Sequence, residues 1–261
     1  VKDPLAAIAE LPGVSETVQQ AREAVDRLYR HRVLRRRSPE VSAESALRGA
    51  RASAALEGVD VPLDALRREE VTDPIVHGAL RVTAELGRLG KTWRTAPRQV
   101  LARLHTLAAA GLVGEPLLGR PRTEAGAPDP LGLGSVPPPA ETSARMDGLV
   151  TLVTGPTAAP ALVLAAIVHA ELAVLRPFGS ADGLIARAAE RLTLVEFGLD
   201  PKSLAVVEAG HLELGGDYAK ALSGYLTGTP EGVAQWVSHC ASAVTLGVRE
   251  ATAICEAMQR G

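Results

Sequence analysis

Two adjacent stretches decide how this chain folds: residues 160–175, PALVLAAIVHAELAVL, and residues 176–187, RPFGSADGLIAR. The first is apolar nearly all round, which is the pattern of a helix surrounded by other helices. His169 and Glu171 interrupt it, and it falls short of the roughly 20 residues that span a bilayer, so it reads as a core helix. The second opens on a Pro-Phe turn, places Asp182 where an N-cap belongs, and leads into a helix from Gly183 to about Phe197. There Gly198 and Pro201 supply stop signals.

Working outward, helical signals continue on both sides with no alternating strands between them. Residues 15–37 carry Val18, Ala21, Val25, Leu28 and Tyr29 at helical spacing, with acids early and arginines late, and read as one amphipathic helix aligned with its dipole. Further helices are expected over Ser42–Glu57, closed by Gly58, over Pro62–Glu70, from Asp73 and Pro74 to about Leu89, and over Pro97–Ala110. Beyond the loop, helices are expected over Asp217–Leu226 and Pro230–Met258, with Thr229 as cap. The segment Gly111–Pro139 breaks the pattern with crowded glycines and prolines, too long for a simple connector and suited to a flap. Its GLGS is no dinucleotide fingerprint, because a triple proline follows where a helix should.

Composition narrows the classes without naming a partner. The 261 residues are 46% hydrophobic and 22% charged with a formal net charge of -2, so no overall field draws the chain to nucleic acid or acidic lipid. The Arg32–Arg37 cluster reads as a basic last helical turn, since no aromatic residues are interleaved with it. Cys240 and Cys255 form no CxxC pair and have no histidines at metal spacing, so neither a disulfide framework nor a metal site is expected. The N-terminus lacks the pattern of a secretory signal, and a cytoplasmic location is expected.

The loop and its flanks resemble the Fic (Fic/Doc, Fido-fold) family, whose active-site loop reads HPFxxGNGRxxR. Arg176, Pro177, Phe178, Gly179, Ser180, Ala181, Asp182, Gly183, Leu184, Ile185, Ala186 and Arg187 align with it without a gap, and Pro177, Phe178, Gly183 and Arg187 match. PPPAETSARMDGLV, RAAERLTLVEFGLDP and YAKALSGYLTGTPEGVAQWV resemble the segments around that loop. The resemblance implies an all-α, Fic-like core with a Pro/Gly-rich flap over residues 71–261, preceded by an N-terminal helical region over 1–70. In that region Ser53, Glu57 and Gly58 match the [S/T]xxxE[G/N] pattern of an inhibitory helix, which implies that Glu57 pairs with Arg187.

By the same resemblance the chemistry is altered. Arg176 stands where the family has its proton-accepting histidine, and a guanidinium is always protonated. Ser180 replaces the acid that helps hold magnesium, Leu184 replaces the first phosphate-binding arginine, and Asp182 replaces asparagine. The implied protein is noncatalytic, binding a protein partner or a nucleotide-like ligand without nucleotide transfer, with no nucleic-acid or membrane partner. The alternative is an enzyme that transfers a nucleotide or other group by another mechanism at the same pocket. ATP and magnesium enter through the resemblance only. Arg176, Gly183 and Arg187 are the candidate anion-binding residues, and Arg176 is expected to pair with Asp182. His169 is read as a hydrogen-bonded core residue, and no catalytic role is assigned to it, to His211 or to His239.

Overall fold

Helix α8 (Ala161–Leu175) sits at the centre of a computed structural model that describes residues 2–261, and every residue of it from Leu162 to Leu175 is buried. Its charge-free first turns let it pack on all sides, as the sequence requires. Around it come α1 (Pro4–Ala9), α2 (Val14–Tyr29), α3 (Leu34–Leu56), α4 (Leu63–Arg67), α5 (Pro74–Thr95), α6 (Pro97–Ala109), α7 (Pro139–Thr154), α9 (Asp182–Glu196), α10 (Val207–Glu213), α11 (Asp217–Leu226) and α12 (Pro230–Arg260). Among the described residues there is no strand, only an isolated bridge between Ala110 and Val113. No helix among them is long and apolar enough to cross a membrane.

Helix α9 packs along α8, while α5 and α3 cover α9 and α10 from the other side. The 31-residue α12 runs unbroken beside α2, α10 and α11. Where α12 passes α10, Gly247 and Gly210 let backbone meet backbone, since a Cβ at either would run into main-chain atoms of the other element.

Three sequence expectations are corrected. Residues 15–37 are not one helix: α2 ends at Tyr29, and α3 starts at Leu34 after a turn. A continuous helix would aim Leu34 about 120° away from Leu28, whereas the turn sends both into the core. Helix α3 then bends at Arg37, because Pro39 has no N–H to continue the ladder. Helix α5 runs six residues past the expected Leu89, to Thr95, carrying the buried Trp93, whose indole donates to Thr193 Oγ1 (3.0 Å). Asp182 is not the N-cap of α9 but its first residue, and the cap position belongs to Ala181 in the left-handed region at φ 54°.

One helix end matters for the site. Helix α3 closes in a Schellman motif, with Val59 N–H donating to Ala54 O (3.0 Å), Gly58 N–H to Ala55 O (2.9 Å), and Gly58 at φ 92°. This holds Glu57 at the very end of the helix, pointing onward to α9. Along the same face, Ser45, Gly49, Ser53 and Glu57 follow one another at four-residue spacing, so they form one stripe. Ser45 and Ser53 are buried, and a Cβ at Gly49 would strike the Arg191 and Glu208 side chains.

Candidate active site

The loop after α8 is held in an unusual backbone. Arg176 and Ala181 have φ of 45° and 54°, and Gly179 lies between them at 74°. Only glycine takes such angles at no steric cost, so side chains must hold the two non-glycine positions in place. Asp182 Oδ1 accepts from Phe178 N–H (3.0 Å) and closes the loop on itself. The Phe178 ring stacks on His105 at 4.4 Å. His105 Nδ1 accepts from Gly119 N–H (2.9 Å), so Nε2 carries the proton and donates to Ser180 Oγ (2.8 Å). Burial pushes the His105 pKa down to about 4, which keeps this bridge between α6 and the loop neutral.

Arg176 does not pair with Asp182 as expected. Its Nη1 donates to Pro128 O (2.8 Å) and faces Asp129 Oδ1 (3.2 Å), and its Nη2 donates to Gly134 O (2.5 Å). Asp129 also accepts from Leu133 N–H and Gly134 N–H (2.8 and 2.7 Å). The tip of the Gly111–Pro139 flap is thus wrapped around its own carboxylate and fastened to Arg176. Between this tip and the loop lies a cavity of about 440 Å³, lined by Glu57, Asp129, Leu131, Leu133 and Arg176 with residues 179–183.

The cation whose charge bears on Asp182 is Arg122 rather than Arg176, acting without a direct ion pair, and it is a flap residue that sequence reasoning did not single out. Its guanidinium donates to Arg176 O (2.9 Å) and Leu175 O (3.2 Å), capping the carbonyl end of α8, and to Pro137 O, Glu124 O and Thr142 Oγ1. A cation is favoured there by the helix dipole. Burial drives the Asp182 pKa up to about 7, against the pull of the Phe178 and Gly179 amides and of Arg122.

At the other end of the loop, Arg187 is 1% exposed. Its Nη2 meets Glu57 Oε1 at 2.5 Å and Ser53 O at 3.0 Å, its Nε donates to Ser53 Oγ (2.8 Å), and its Nη1 donates to the Tyr218 hydroxyl (3.2 Å). The Glu57 carboxylate lies so close over Gly183 that a Cβ there would overlap Oε1. Glycine is needed here for close approach, and the carboxylate sits where the first amides of α9 favour an anion. Leu184 is buried in the core. Of the three candidate anion-binding residues, Gly183 and Arg187 face one carboxylate from the chain itself, while Arg176 is turned to the flap.

Behind Arg187 the core holds a polar cluster assembled from five helices, α8 to α12. His169 Nε2 meets the Tyr218 hydroxyl (2.7 Å), His169 Nδ1 bonds Glu190 Oε2, His211 Nε2 bonds the same oxygen (2.8 Å), and His211 Nδ1 meets His239 Nε2 (3.1 Å). Burial depresses the His169 pKa to about 4. It would raise that of Glu190, but the two imidazoles outweigh it and hold the carboxyl well below its usual range. Burial and the neighbouring imidazoles bring His239 to about 3.

A buried central helix, a Pro-Phe loop, a second buried helix and a glutamate-bearing helix seated upon it define a Fic-type, or Fido, fold. Solved structures agree at the level of the fold. A Fic family protein from Desulfovibrio desulfuricans G20 superposes with a TM-score of 0.74 at 20% identity, covering 91% of this chain and 74% of that one. Fic-1 from C. elegans (residues 134–508) gives 0.71 at 16%, covering 94% and 73%. A Fic domain containing signaling protein from Bacteroides thetaiotaomicron VPI-5482 gives 0.58 at 17%, covering 91% and 98%. No protein-family model and no curated protein matches the chain.

Proposed function

We propose that this is a noncatalytic relative of the Fic adenylyltransferases, a cytoplasmic binding or regulatory protein whose loop pocket takes a protein segment or nucleotide-like ligand without transferring a nucleotide. The observation that carries the reading is that both loop arginines are already engaged by the chain itself. Arg176 is fastened to the flap through Pro128, Asp129 and Gly134, and Arg187 is enclosed by Ser53, Glu57 and Tyr218.

The side chains present do not fit ATP and magnesium. A hard cation prefers carboxylate oxygen, but Ser180 offers a hydroxyl committed to His105, and the Asp182 carboxyl is buried and turned into its own loop. A phosphate approaching Gly183 meets the Glu57 carboxylate, and Leu184 provides no charge. Arg176 cannot accept a proton from a target hydroxyl. No catalytic step is therefore routed through this loop.

The reading is tested by incubating the protein with labelled ATP, magnesium and candidate acceptor proteins, beside a thermal-shift screen of nucleotides with and without the metal. No label should transfer, and any ligand that raises the melting temperature should do so without turnover. Label incorporated by the wild type and lost in Arg176→Ala would overturn the proposal.

A further inference from the structure

A second cavity, of about 620 Å³, lies between α1, α7, α8, α11 and α12 and shares no residue with the loop pocket. Ile8, Leu149, Leu152, Ile167 and Val233 line its body, and Arg145, Glu171 and Tyr225 form a polar patch in its wall. An apolar body of this size with a few convergent polar groups is the make-up of a small-molecule site. Helix α1 is fixed in place as part of the wall. Asp3 at its start accepts from Thr157 Oγ1 and Ala158 N–H (both 2.8 Å) as well as from its own first turn.

Gly148 points to an occupant. It stands in the middle of α7 on the cavity wall, in a helix interior where glycine is a poorer choice than alanine. No contact within the chain requires it, since a Cβ built there meets no atom within 4 Å. Gly210 and Gly247 differ, because backbone fills the space beside them. Arg145, Gly148 and Leu152 follow one another at spacings of three and four, so they form one stripe of α7. The absent side chain therefore leaves room along the cavity face. Leu226, 43% exposed, lines the same cavity and has its apolar surface uncovered.

The polar patch selects the head group. Glu171 Oε1 accepts from Arg145 Nη2 (2.6 Å) and from the Tyr225 hydroxyl (2.7 Å), while Oε2 accepts only from Arg145 Nε at 3.3 Å. Among the described residues Arg145 Nη1 has no acceptor. A free donor and a loosely held acceptor thus stand side by side, and their charges cancel within the pair. An anionic head would face Glu171, with Glu141 one turn away on α7 adding to the repulsion, and a cationic head would face Arg145. Either would lack compensation in an apolar site. We propose that this cavity binds an uncharged amphipathic molecule, an apolar body ending in a hydroxyl or amide group. Its oxygen accepts from Arg145 Nη1, and its O–H or N–H donates to Glu171 Oε2. The site is separate from any ligand of the loop pocket.

The test titrates the 261-residue chain by calorimetry with octanol, octanamide, octanoate and octylammonium, which share one apolar body and differ in the head group. One molecule of octanol or octanamide should bind per chain, at least tenfold more tightly than either charged homologue. Gly148→Leu, which sets a side chain along the cavity face, should bind octanol at least tenfold more weakly. Glu171→Gln leaves Arg145 unbalanced and should reverse the preference, so that octanoate binds more tightly than octanol. Where a variant fails to fold, the head-group series on the wild type decides alone. The proposal is overturned if none of the four binds, if binding does not saturate, if a charged homologue binds as tightly as octanol, or if folded Gly148→Leu binds like the wild type. Octanol binding lost in Arg176→Ala would place the ligand in the loop pocket and overturn it as well.

Discussion

Replacing Glu57 and Gly183, singly and together, separates the ion pair from the packing that makes room for it. In Glu57→Ala, the Arg187 guanidinium stays 1% exposed and loses its only carboxylate at 2.5 Å. Breaking a buried pair costs about 3–5 kcal/mol. Arg187 keeps Ser53 Oγ, Ser53 O and the Tyr218 hydroxyl, and Glu57 is 15% exposed, so the low end applies, about 3 kcal/mol. At about 2–4 °C per kcal/mol for a chain of this size, the melting temperature should fall by about 6–12 °C. Gly183→Ala alone evicts the same carboxylate, because the new methyl overlaps Oε1. It recovers up to about 1 kcal/mol from the better helix former, for a net cost of about 2 kcal/mol. If the two sites were independent the double variant would lose about 5 kcal/mol, but once the carboxylate is gone the methyl fits the vacated space. The double variant should lose only about 2 kcal/mol, so the second substitution stabilises the first. Calorimetry of the four proteins measures this directly. Additive losses, or a Glu57→Ala protein that melts like wild type, would refute the reasoning.

Three further outcomes are expected. Arg176→Ala removes the bonds to Pro128 and Gly134 and the Asp129 pair; amide exchange across residues 128–134 should accelerate at least tenfold while α8 stays protected, and unchanged exchange would mean that Arg176 does not fasten the flap. Arg122→Ala should cost about 2–3 kcal/mol by leaving the Leu175 and Arg176 carbonyls without their cation, and should loosen the flap and the loop together in limited proteolysis. Asp182 has a folded pKa of about 7 against an ordinary 3.8, so the folded state keeps a proton that the unfolded chain releases. Its contribution to stability is full below the ordinary value and is lost as pH rises through the folded one. The melting-temperature difference between wild type and Asp182→Asn should therefore move against the wild type from pH 4 to 7, and a flat difference would contradict the raised value.

The fold was legible because residues 160–187 carry two independent signals, an all-round apolar helix and a loop whose order and spacing match a known pattern. The partner of Arg187 could be placed for the same reason: Ser53 and Glu57 belong to a motif with fixed spacing. What escaped the sequence depends on where the flap runs. Asp129 rather than Asp182 faces Arg176, and Arg122 caps α8 from 53 residues away along the chain, contacts that no local periodicity encodes. The histidine cluster escaped for a related reason. Its members are spaced 21 residues apart, each on a different helix, so no short motif joins them. The split at Tyr29 was hidden because helix-forming residues continue through it, and only the core positions of Leu28 and Leu34 demand the turn.

The stripe of Ser45, Gly49, Ser53 and Glu57 on α3 gives that helix a register. Arg187 and Arg191 stand one turn apart on α9, the first reading Ser53 and Glu57 and the second reading Ser45 beside Glu208. Sliding α3 by one turn would set Arg187 against Gly49, which has no hydroxyl, and carry Glu57 away from Gly183. Beyond Leu34 and Val41 near its start, its buried face is otherwise alanine, glycine and serine, which contribute little through apolar area and tolerate many alignments equally. The two guanidinium groups therefore act as keys in a slotted rail. They add modestly to how tightly α3 is held, but they leave one seating in which no buried charge is stranded, and that seating is what brings Glu57 to the loop.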